Sequence, residues 1–197
     1  MKRKTKGRTR NMTNLTPIQT EYRNIVFRSR LEAKWAVFFD EMGIEWKYEP
    51  GTFMVPFGGY SIQYRPDFAL TNVKCVFDIE QPIYIEVKGR DHYCDIYEYE
   101  RRKIENFAKD HSILVLGKIP YKVSDMFQEP DYICNFILIN GQNMPCFFRK
   151  YNDVPWLVDG YRLKDGSQKV DSALYIANKA CFSDMVEDCR GAEWTKN

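Results

Sequence analysis

Three charged residues near the ends of two apolar runs provide the clearest chemical signal in this sequence. Asp67 lies in residues 65–68 (Arg-Pro-Asp-Phe), while Glu86 and Lys88 lie in residues 85–89 (Ile-Glu-Val-Lys-Gly). Residues i and i+2 of a strand share one face, so we expect Glu86 and Lys88 to point the same way. Asp67 and Glu86 supply the hard oxygen ligands that Mg²⁺ prefers, beside the Lys88 ammonium. Such a set has the chemistry needed to hydrolyse a phosphodiester.

The alternation of residues 83–88 divides the expected strand into two faces. Tyr84 is expected to share the face of Glu86 and Lys88. The opposite face is apolar and carries Ile83, Ile85 and Val87. Charged groups on a buried strand cost free energy unless they have partners, so this pair needs nearby counter-charges.

Each of these signals also has a purely structural explanation. Asp67 follows Pro66 and is typical of a turn in which the side chain bonds the local backbone. Glu86 and Lys88 are also typical of a cross-strand ion pair on a solvated face. The order of the motifs is more specific than any one of them, because both follow an amphipathic helix that carries a third acid.

Glu32 is that third acid, in a helix that we expect from Ser29 onward. Apolar residues recur there at helical spacing, and Gly43 is typical of a helix end. At about 100° per residue, Glu32 lies roughly 20° from Phe39 on the helical wheel, at the margin of the buried face. Residues 29–32 (Ser-Arg-Leu-Glu) also match a capping box, in which Glu32 caps Ser29. The two roles are compatible, because one carboxylate oxygen can cap while the other faces a metal site.

The remaining pattern predicts short strands before and after a second helix. Apolar runs separated by Pro and Gly predict strands at 45–49, 53–55, 60–70, 75–79, 83–88, 111–116, 136–139 and 146–151. Helical spacing predicts two further helices, at 95–109 and 172–186. This order predicts an α/β fold whose central mixed β-sheet is flanked by α-helices, with a C-terminal extension that ends in a helix.

Charge separates the N-terminus from the rest of the chain. Residues 1–10 contain six basic and no acidic residues, and the rest of the chain contains 23 basic against 27 acidic residues. We therefore expect a flexible basic N-terminal arm at 1–20. A single domain is expected at 21–197, with a core at about 22–117 and an extension at 118–197. The arm either adds salt-dependent contacts to phosphates or serves as a solubilising tail.

Composition and cysteine usage exclude several other classes. With 44% hydrophobic and 15% aromatic residues, the composition is not that of a disordered chain. No apolar run approaches the roughly 18 residues needed to cross a membrane, and we find no apolar signal segment, so we expect no membrane association and a cytoplasmic location. The six cysteines form no Cys-x-x-Cys pair and there are only two histidines, so neither a zinc site nor a disulfide framework is expected.

Together these motifs resemble those of the PD-(D/E)xK nuclease superfamily. The matching motif residues are Pro66 and Asp67, followed by Glu86, Val87 and Lys88. Three wider segments are similar to small phage-encoded nucleases of that superfamily: residues 27–32 (Phe-Arg-Ser-Arg-Leu-Glu), 46–50 (Trp-Lys-Tyr-Glu-Pro) and 64–68 (Tyr-Arg-Pro-Asp-Phe). The resemblance covers residues 22–117 and, more loosely, the helix at 172–186.

The resemblance implies a restriction-endonuclease-like core and Mg²⁺-dependent endonuclease activity on DNA, with Mn²⁺ as a substitute metal. By motif position, the metal ligands would be Asp67, Glu86, the backbone carbonyl of Val87 and, from the helix, Glu32. Lys88 would orient the attacking water or stabilise charge on the phosphate. The implied catalytic set is therefore Glu32, Asp67, Glu86 and Lys88. Such enzymes belong to phages or mobile elements, which implies the cytoplasm of a bacterial host.

Basic residues near the motifs are candidates for contacts to DNA phosphates. They are Arg28, Arg30, Arg65, Arg102 and Lys103, each of which is also typical of a solvated surface. Tyr93, Tyr97 and Tyr99 are candidates for stacking on splayed bases. A second interpretation is a non-catalytic nuclease-fold module that binds DNA within a multi-protein complex, since transposon-end nucleases resemble the same plan. A homodimer is compatible with either interpretation.

Overall fold

Short strands make up most of the secondary structure of this chain. The computed structural model describes residues 17–75, 81–90, 95–120, 136–139, 142–151, 154–159 and 168–182. Within these ranges the strands are β1 (Thr20–Tyr22), β2 (Ile25–Phe27), β3 (Trp46–Tyr48), β4 (Phe53–Phe57), β5 (Tyr60–Tyr64), β6 (Phe68–Leu70), β7 (Lys74–Cys75), β8 (Ile83–Val87), β9 (Ile113–Leu116), β10 (Phe136–Ile139), β11 (Gln142–Tyr151) and β12 (Val154–Asp159). The helices are α1 (Arg30–Met42), α2 (Glu98–Phe107) and α3 (Gln168–Lys179). Most of the predicted arm lies outside the described residues, but its last residue, Thr20, is buried in β1.

Eight strands form one mixed sheet in the order β3-β6-β8-β9-β10-β11-β12-β7. Strand β8 pairs in parallel with β9, and β12 pairs in parallel with β7, while the other neighbours are antiparallel. The long strand β11 pairs with β10 through residues 142–145 and with β12 through residues 146–151. Two hairpins, β1-β2 and β4-β5, form separate two-stranded sheets. The predicted α/β class with a mixed sheet is therefore confirmed.

Helices cover both faces of the central sheet. On one face, α1 and α3 pack against the apolar residues of β8 and β9, which are Ile83, Ile85, Val87, Leu114 and Leu116. On the other face, α2 and the β4-β5 hairpin pack against the alternate residues Tyr84, Ile113 and Val115. The predicted division of residues 83–88 into two faces is confirmed, because neighbouring residues of β8 belong to different cores.

Helix α1 begins and ends where its flanking residues predict. Ser29 has an extended backbone (φ −143°, ψ 154°), and its Oγ accepts the Glu32 N–H at 3.2 Å. Gly43 follows the last turn with φ 70°, a left-handed conformation that glycine adopts without steric cost. Trp35 donates its indole N–H to the Gly117 carbonyl at 2.9 Å, which ties α1 to the end of β9. These contacts fix the N-terminal turn of α1, which carries Glu32.

Some strands differ from their predicted bounds. The run predicted at 60–70 is divided into β5 and β6, because Pro66 lies between them and has no N–H for the ladder. The β1-β2 hairpin was not predicted, since its turn residues Arg23 and Asn24 adopt positive φ without a glycine to signal it. The strand predicted at 75–79 is described only at β7, and the rest of it lies outside the described residues.

Two helices are also shifted from their predicted positions. Helix α2 begins at Glu98 rather than at residue 95, because Tyr97 keeps an extended backbone (φ −53°, ψ 138°). Helix α3 begins at Gln168 rather than at residue 172, since Val170 already belongs to its buried face. It ends at Lys179, and residues 183–186 lie outside the described part. None of the helices within the described ranges is long and apolar enough to cross a membrane.

Candidate active site

Eight of the ten predicted site residues line one cleft at one end of the central strands. The cleft has a volume of about 510 Å³ and opens where the N-terminus of α1 meets the ends of β6 and β8. Its charged walls carry acidic Glu32, Asp67, Glu86 and Glu100 and basic Arg28, Arg65, Lys88 and Lys103. The fold therefore brings together all four members of the predicted catalytic set.

Asp67 is fixed by its backbone just before β6. Its N–H donates to the Ile85 carbonyl at 2.8 Å, and its carbonyl accepts the Glu49 N–H at 2.8 Å. The carboxylate reaches β8, where Oδ2 accepts the Val87 N–H at 2.6 Å, and Oδ1 pairs with Arg28. Only 3% of Asp67 is exposed. The carboxylate is thus held between elements, and the alternative of a local turn after the proline does not describe its contacts.

Glu86 and Lys88 contact each other at the end of β8. Lys88 Nζ lies 2.7 Å from Glu86 Oε1 and 2.9 Å from Glu100 Oε2 on α2. The Tyr64 hydroxyl donates to Glu86 Oε2 at 2.6 Å. Because Glu86 is only 6% exposed, the ion pair lies in the cleft wall rather than on a solvated face.

Both carboxylate oxygens of Glu32 accept hydrogen bonds from hydroxyl groups. Oε1 accepts from Ser29 Oγ at 2.8 Å, and Oε2 accepts from the Tyr48 hydroxyl at 2.7 Å. The Tyr48 hydroxyl in turn accepts the backbone N–H of Arg28 at 3.0 Å. Glu32 is buried. It therefore combines a role at the helix cap with a position in the cleft wall.

The surroundings of Asp67 disfavour the charged form of its carboxyl group. Burial raises the pKa of Asp67 well above its usual value, and the carboxylates of Glu86 and Glu32 raise it further. The bonds from the Val87 N–H and from Arg28 lower this pKa but do not cancel the rise. A bound cation would relieve this excess of buried negative charge.

Lys88 is held in its charged form by its neighbours. Burial alone would lower the pKa of its ammonium, but the carboxylates of Glu86 and Glu100 outweigh burial and raise it. Such a lysine stays a cation at neutral pH and cannot take a proton from water. Burial, together with the Glu86 carboxylate, likewise raises the pKa of Tyr64, so its hydroxyl remains a donor. Glu86 is therefore oriented by one fixed cation and one neutral donor.

The donor set of the cleft suits a hard divalent cation. The antiparallel register that pairs Phe68 with Ile85 brings Asp67 beside Glu86. Within the described residues, no cluster of three or more His, Cys, Asp or Glu side chains is arranged to hold a metal ion. Mg²⁺ does not require such a cluster, because it keeps several waters and binds proteins through one or two carboxylates. Asp67 and Glu86 meet this requirement.

Three of the predicted phosphate-binding residues line the cleft. Arg28 pairs with Asp67, and its Nε lies 3.1 Å from Glu49 Oε1. Arg65 Nη1 lies 2.7 Å from Glu49 Oε2. Both arginine side chains are about half exposed, so they remain accessible to a substrate. Lys103 also lines the cleft, from α2.

The other two predicted phosphate-binding residues do not line this cleft. Arg30 is the first residue of α1 and is not among the residues that line the cleft. Arg102 lies on α2 one residue before Lys103, and one residue turns the side chain by about 100° around a helix. Its guanidinium lies 5.3 Å from the centre of the Phe57 ring instead.

Four residues that hold the site together could not be identified from the sequence. They are Tyr48, Glu49, Tyr64 and Glu100. A tyrosine in a strand is typical of core packing, and only the partner of its hydroxyl reveals a further role. Glu100 is one of many charged residues on its helix, and nothing in the spacing distinguishes it.

The chain matches no protein-family model, no curated protein and no solved structure. A functional conclusion therefore depends on the geometry and chemistry of the cleft.

Proposed function

We propose that this protein is a Mg²⁺-dependent endonuclease that hydrolyses phosphodiester bonds in DNA, with a restriction-endonuclease-like core of the PD-(D/E)xK type. The observation that carries the proposal is the convergence of Glu32, Asp67, Glu86 and Lys88 in one cleft. Burying three carboxylates beside a partly buried ammonium costs free energy, and apolar residues of similar size often give a fold that is equally or more stable. A requirement for chemistry explains why the chain retains them.

Asp67 and Glu86 are the proposed metal ligands, together with the backbone carbonyl of Val87 and, directly or through a water, Glu32. When bound, Mg²⁺ would act as a Lewis acid that polarises the phosphoryl oxygens, activates water and stabilises the leaving oxygen. Such help is needed because phosphate ester hydrolysis requires a barrier reduction on the order of 20 kcal/mol in the harder cases. The Val87 N–H and the Tyr64 hydroxyl fix the orientations of the two ligand carboxylates.

Lys88 is the proposed electrostatic group of the reaction. Its ammonium is fixed by Glu86 and Glu100 before substrate arrives, so no reorganisation is needed when charge develops on the phosphate. Because Lys88 remains protonated, it stabilises negative charge rather than acting as a general base. Its position also allows it to donate a hydrogen bond that orients the attacking water.

Arg28 is expected to change partners when a metal binds. Its guanidinium pairs with Asp67, which is a proposed ligand, and its side chain is 51% exposed. Two cations that share one carboxylate repel each other, so metal binding should weaken this ion pair. The released guanidinium would then be free to contact a substrate phosphate at the mouth of the cleft.

Replacing Arg28 with alanine is therefore expected to tighten metal binding in the absence of DNA. The expected gain is roughly fivefold in affinity, which corresponds to about 1 kcal/mol for a half-exposed ion pair. Isothermal titration calorimetry with Mn²⁺ measures it directly. Arg65→Ala is the matched control, because Arg65 is 52% exposed and pairs with Glu49 rather than with a proposed ligand. Equal effects of the two substitutions would contradict this role for Arg28.

A substrate panel tests the proposed function itself. Labelled duplex, branched and single-stranded DNA are incubated with the purified protein in Mg²⁺, Mn²⁺ or EDTA. Cleavage that requires the metal supports the proposal. DNA binding that depends on Asp67 without cleavage of any substrate would instead indicate a non-catalytic nuclease-fold module. The presence of Lys88 beside the carboxylates favours catalysis, since binding a metal alone does not need an ammonium held next to its ligands.

A further inference from the structure

Aromatic rings gather beside the cleft, where the end of the β4-β5 hairpin meets the first turn of α2. The ring centre of Phe57 lies 5.0 Å from that of Tyr99 and 5.8 Å from that of Tyr60. Tyr97 comes directly before α2, two residues from Tyr99. Three of these rings are more than half exposed: Tyr60 (59%), Tyr97 (56%) and Tyr99 (51%). Exposed aromatic side chains that cluster in this way mark a contact surface.

Cations lie against three of the four rings. The pairs, with the distance from the charged group to the ring centre, are Arg90–Tyr97 (5.1 Å), Lys103–Tyr99 (5.0 Å) and Arg102–Phe57 (5.3 Å). The four rings and three cations together form the stacking surface. Lys103 belongs both to this surface and to the cleft, so the two are continuous. Rings beside cations provide π faces for bases and positive charge for phosphates.

We infer that the stacking surface binds an unpaired DNA strand, so that the substrate of this nuclease carries a single-stranded segment next to the bond that is cut. The part of the inference that concerns cleavage rests on the proposed function, whereas the part that concerns binding of the strand does not. In a duplex the base faces are covered by neighbouring bases, so exposed tyrosines stack only on bases that are unpaired or splayed. The cations then lie close to the phosphates that link such bases.

Binding of a labelled oligothymidine of about 20 nucleotides, a length that exceeds common single-strand site sizes, tests this inference. Fluorescence anisotropy is measured in EDTA, where metal-dependent cleavage does not interfere. The double variant Tyr97→Ala/Tyr99→Ala is expected to bind at least about 25-fold more weakly, because each lost base–ring stack is worth about fivefold or more. Binding of a duplex of the same length is expected to change by less than about twofold, since a duplex offers no free base faces.

Two variants serve as controls. Tyr97→Phe/Tyr99→Phe keeps both rings and is expected to bind like the wild type, which separates stacking from hydroxyl contacts. Tyr175→Ala is matched in exposure, because Tyr175 is 57% exposed and has Lys179 Nζ 6.0 Å from its ring centre. It lies on α3, which packs on the opposite face of the sheet, and its loss is expected to change nothing.

The outcomes separate this inference from the proposed function. Unchanged oligothymidine binding by the double alanine variant, or an equal loss for Tyr175→Ala or for the duplex, would overturn the inference. If the double variant fails to fold, Tyr97→Ala alone carries the test, with an expected loss of about fivefold. A wild-type protein that binds oligothymidine through these tyrosines but cuts no DNA in Mg²⁺ would uphold single-strand binding at the stacking surface and would overturn the proposed function.

Discussion

Replacing Asp67 with asparagine is expected to lower DNA cleavage to less than about a thousandth of the wild-type rate, because the variant loses a proposed ligand of the metal on which the proposed reaction depends. The amide keeps an oxygen that can accept the Val87 N–H, so the local structure should persist. It loses the negative charge that attracts a divalent cation. Cleavage kinetics in Mg²⁺ and calorimetric titration with Mn²⁺ should therefore both show a loss.

Asp40→Asn provides the matched control for this substitution. Asp40 also holds its neighbours through its carboxylate, since it accepts from the Tyr22 hydroxyl at 2.7 Å and from the Trp46 indole at 3.1 Å. It does not line the cleft. The control should retain cleavage and metal binding. An Asp67→Asn preparation that cuts DNA at the wild-type rate, once contamination is excluded, would show that the ligand assignment is wrong.

Lys88→Gln is expected to separate metal binding from catalysis. Cleavage should slow by about 10²–10³-fold, the range found when one preorganised electrostatic group is removed. The loss should appear in kcat, because the ammonium acts on charge that develops in the transition state. Metal affinity should be at least that of the wild type, since a competing positive charge next to Glu86 is gone. Glutamine can still donate to Glu86, which limits the cost of leaving a buried carboxylate unpaired.

Lys103→Gln is the comparison for Lys88, because both lysines pair with Glu100 and line the cleft. Lys103 contacts no proposed metal ligand, so its substitution should act mainly on KM. A Lys88→Gln variant within about threefold of the wild-type kcat would contradict the electrostatic role, because a group of that kind contributes far more. A variant that no longer binds metal would also contradict it.

Local geometry predicts the side-chain directions of three residues of the candidate site, which are Glu32, Glu86 and Lys88. Successive side chains of a strand point to opposite faces of the sheet, so Glu86 and Lys88, two residues apart at the end of β8, share a face. Glu32 lies at the edge of the buried face of α1, as the helical wheel and the Ser29 cap predict. Asp67 could be identified only through its order relative to the other motifs, since a turn after proline was the favoured explanation for this residue taken alone.

Contacts between distant segments could not be predicted in the same way. Tyr64 reaches Glu86 across 22 residues, and Tyr48 reaches Glu32 across 16. Nothing in the local pattern of a strand indicates that a tyrosine hydroxyl will meet a buried carboxylate. The same limit explains why the ion pair between Arg28 and Asp67 was not predicted.

Proline residues also made the bounds of two strands difficult to predict from the sequence. Strand β4 was predicted to end at residue 55 but continues through Pro56 to Phe57. The bounds of strand β12 were not predicted, because Pro155 near its start weakens the strand signal. Both segments pair with a neighbouring antiparallel strand in spite of the proline. Such pairing depends on long-range register, which a local pattern does not contain.

Cleavage of labelled DNA by metal-stripped protein, before and after Mg²⁺ is restored, tests the central claim most directly. The wild-type protein should cut nothing in EDTA and should regain cleavage when Mg²⁺ is added in excess, while Asp67→Asn prepared in parallel should stay inactive. Substrates with a single-stranded segment should be included beside duplex DNA. Cleavage that persists in EDTA, equal cleavage by the Asp67→Asn preparation, or no cleavage of any substrate in Mg²⁺ would contradict the assignment of this cleft as a nuclease centre.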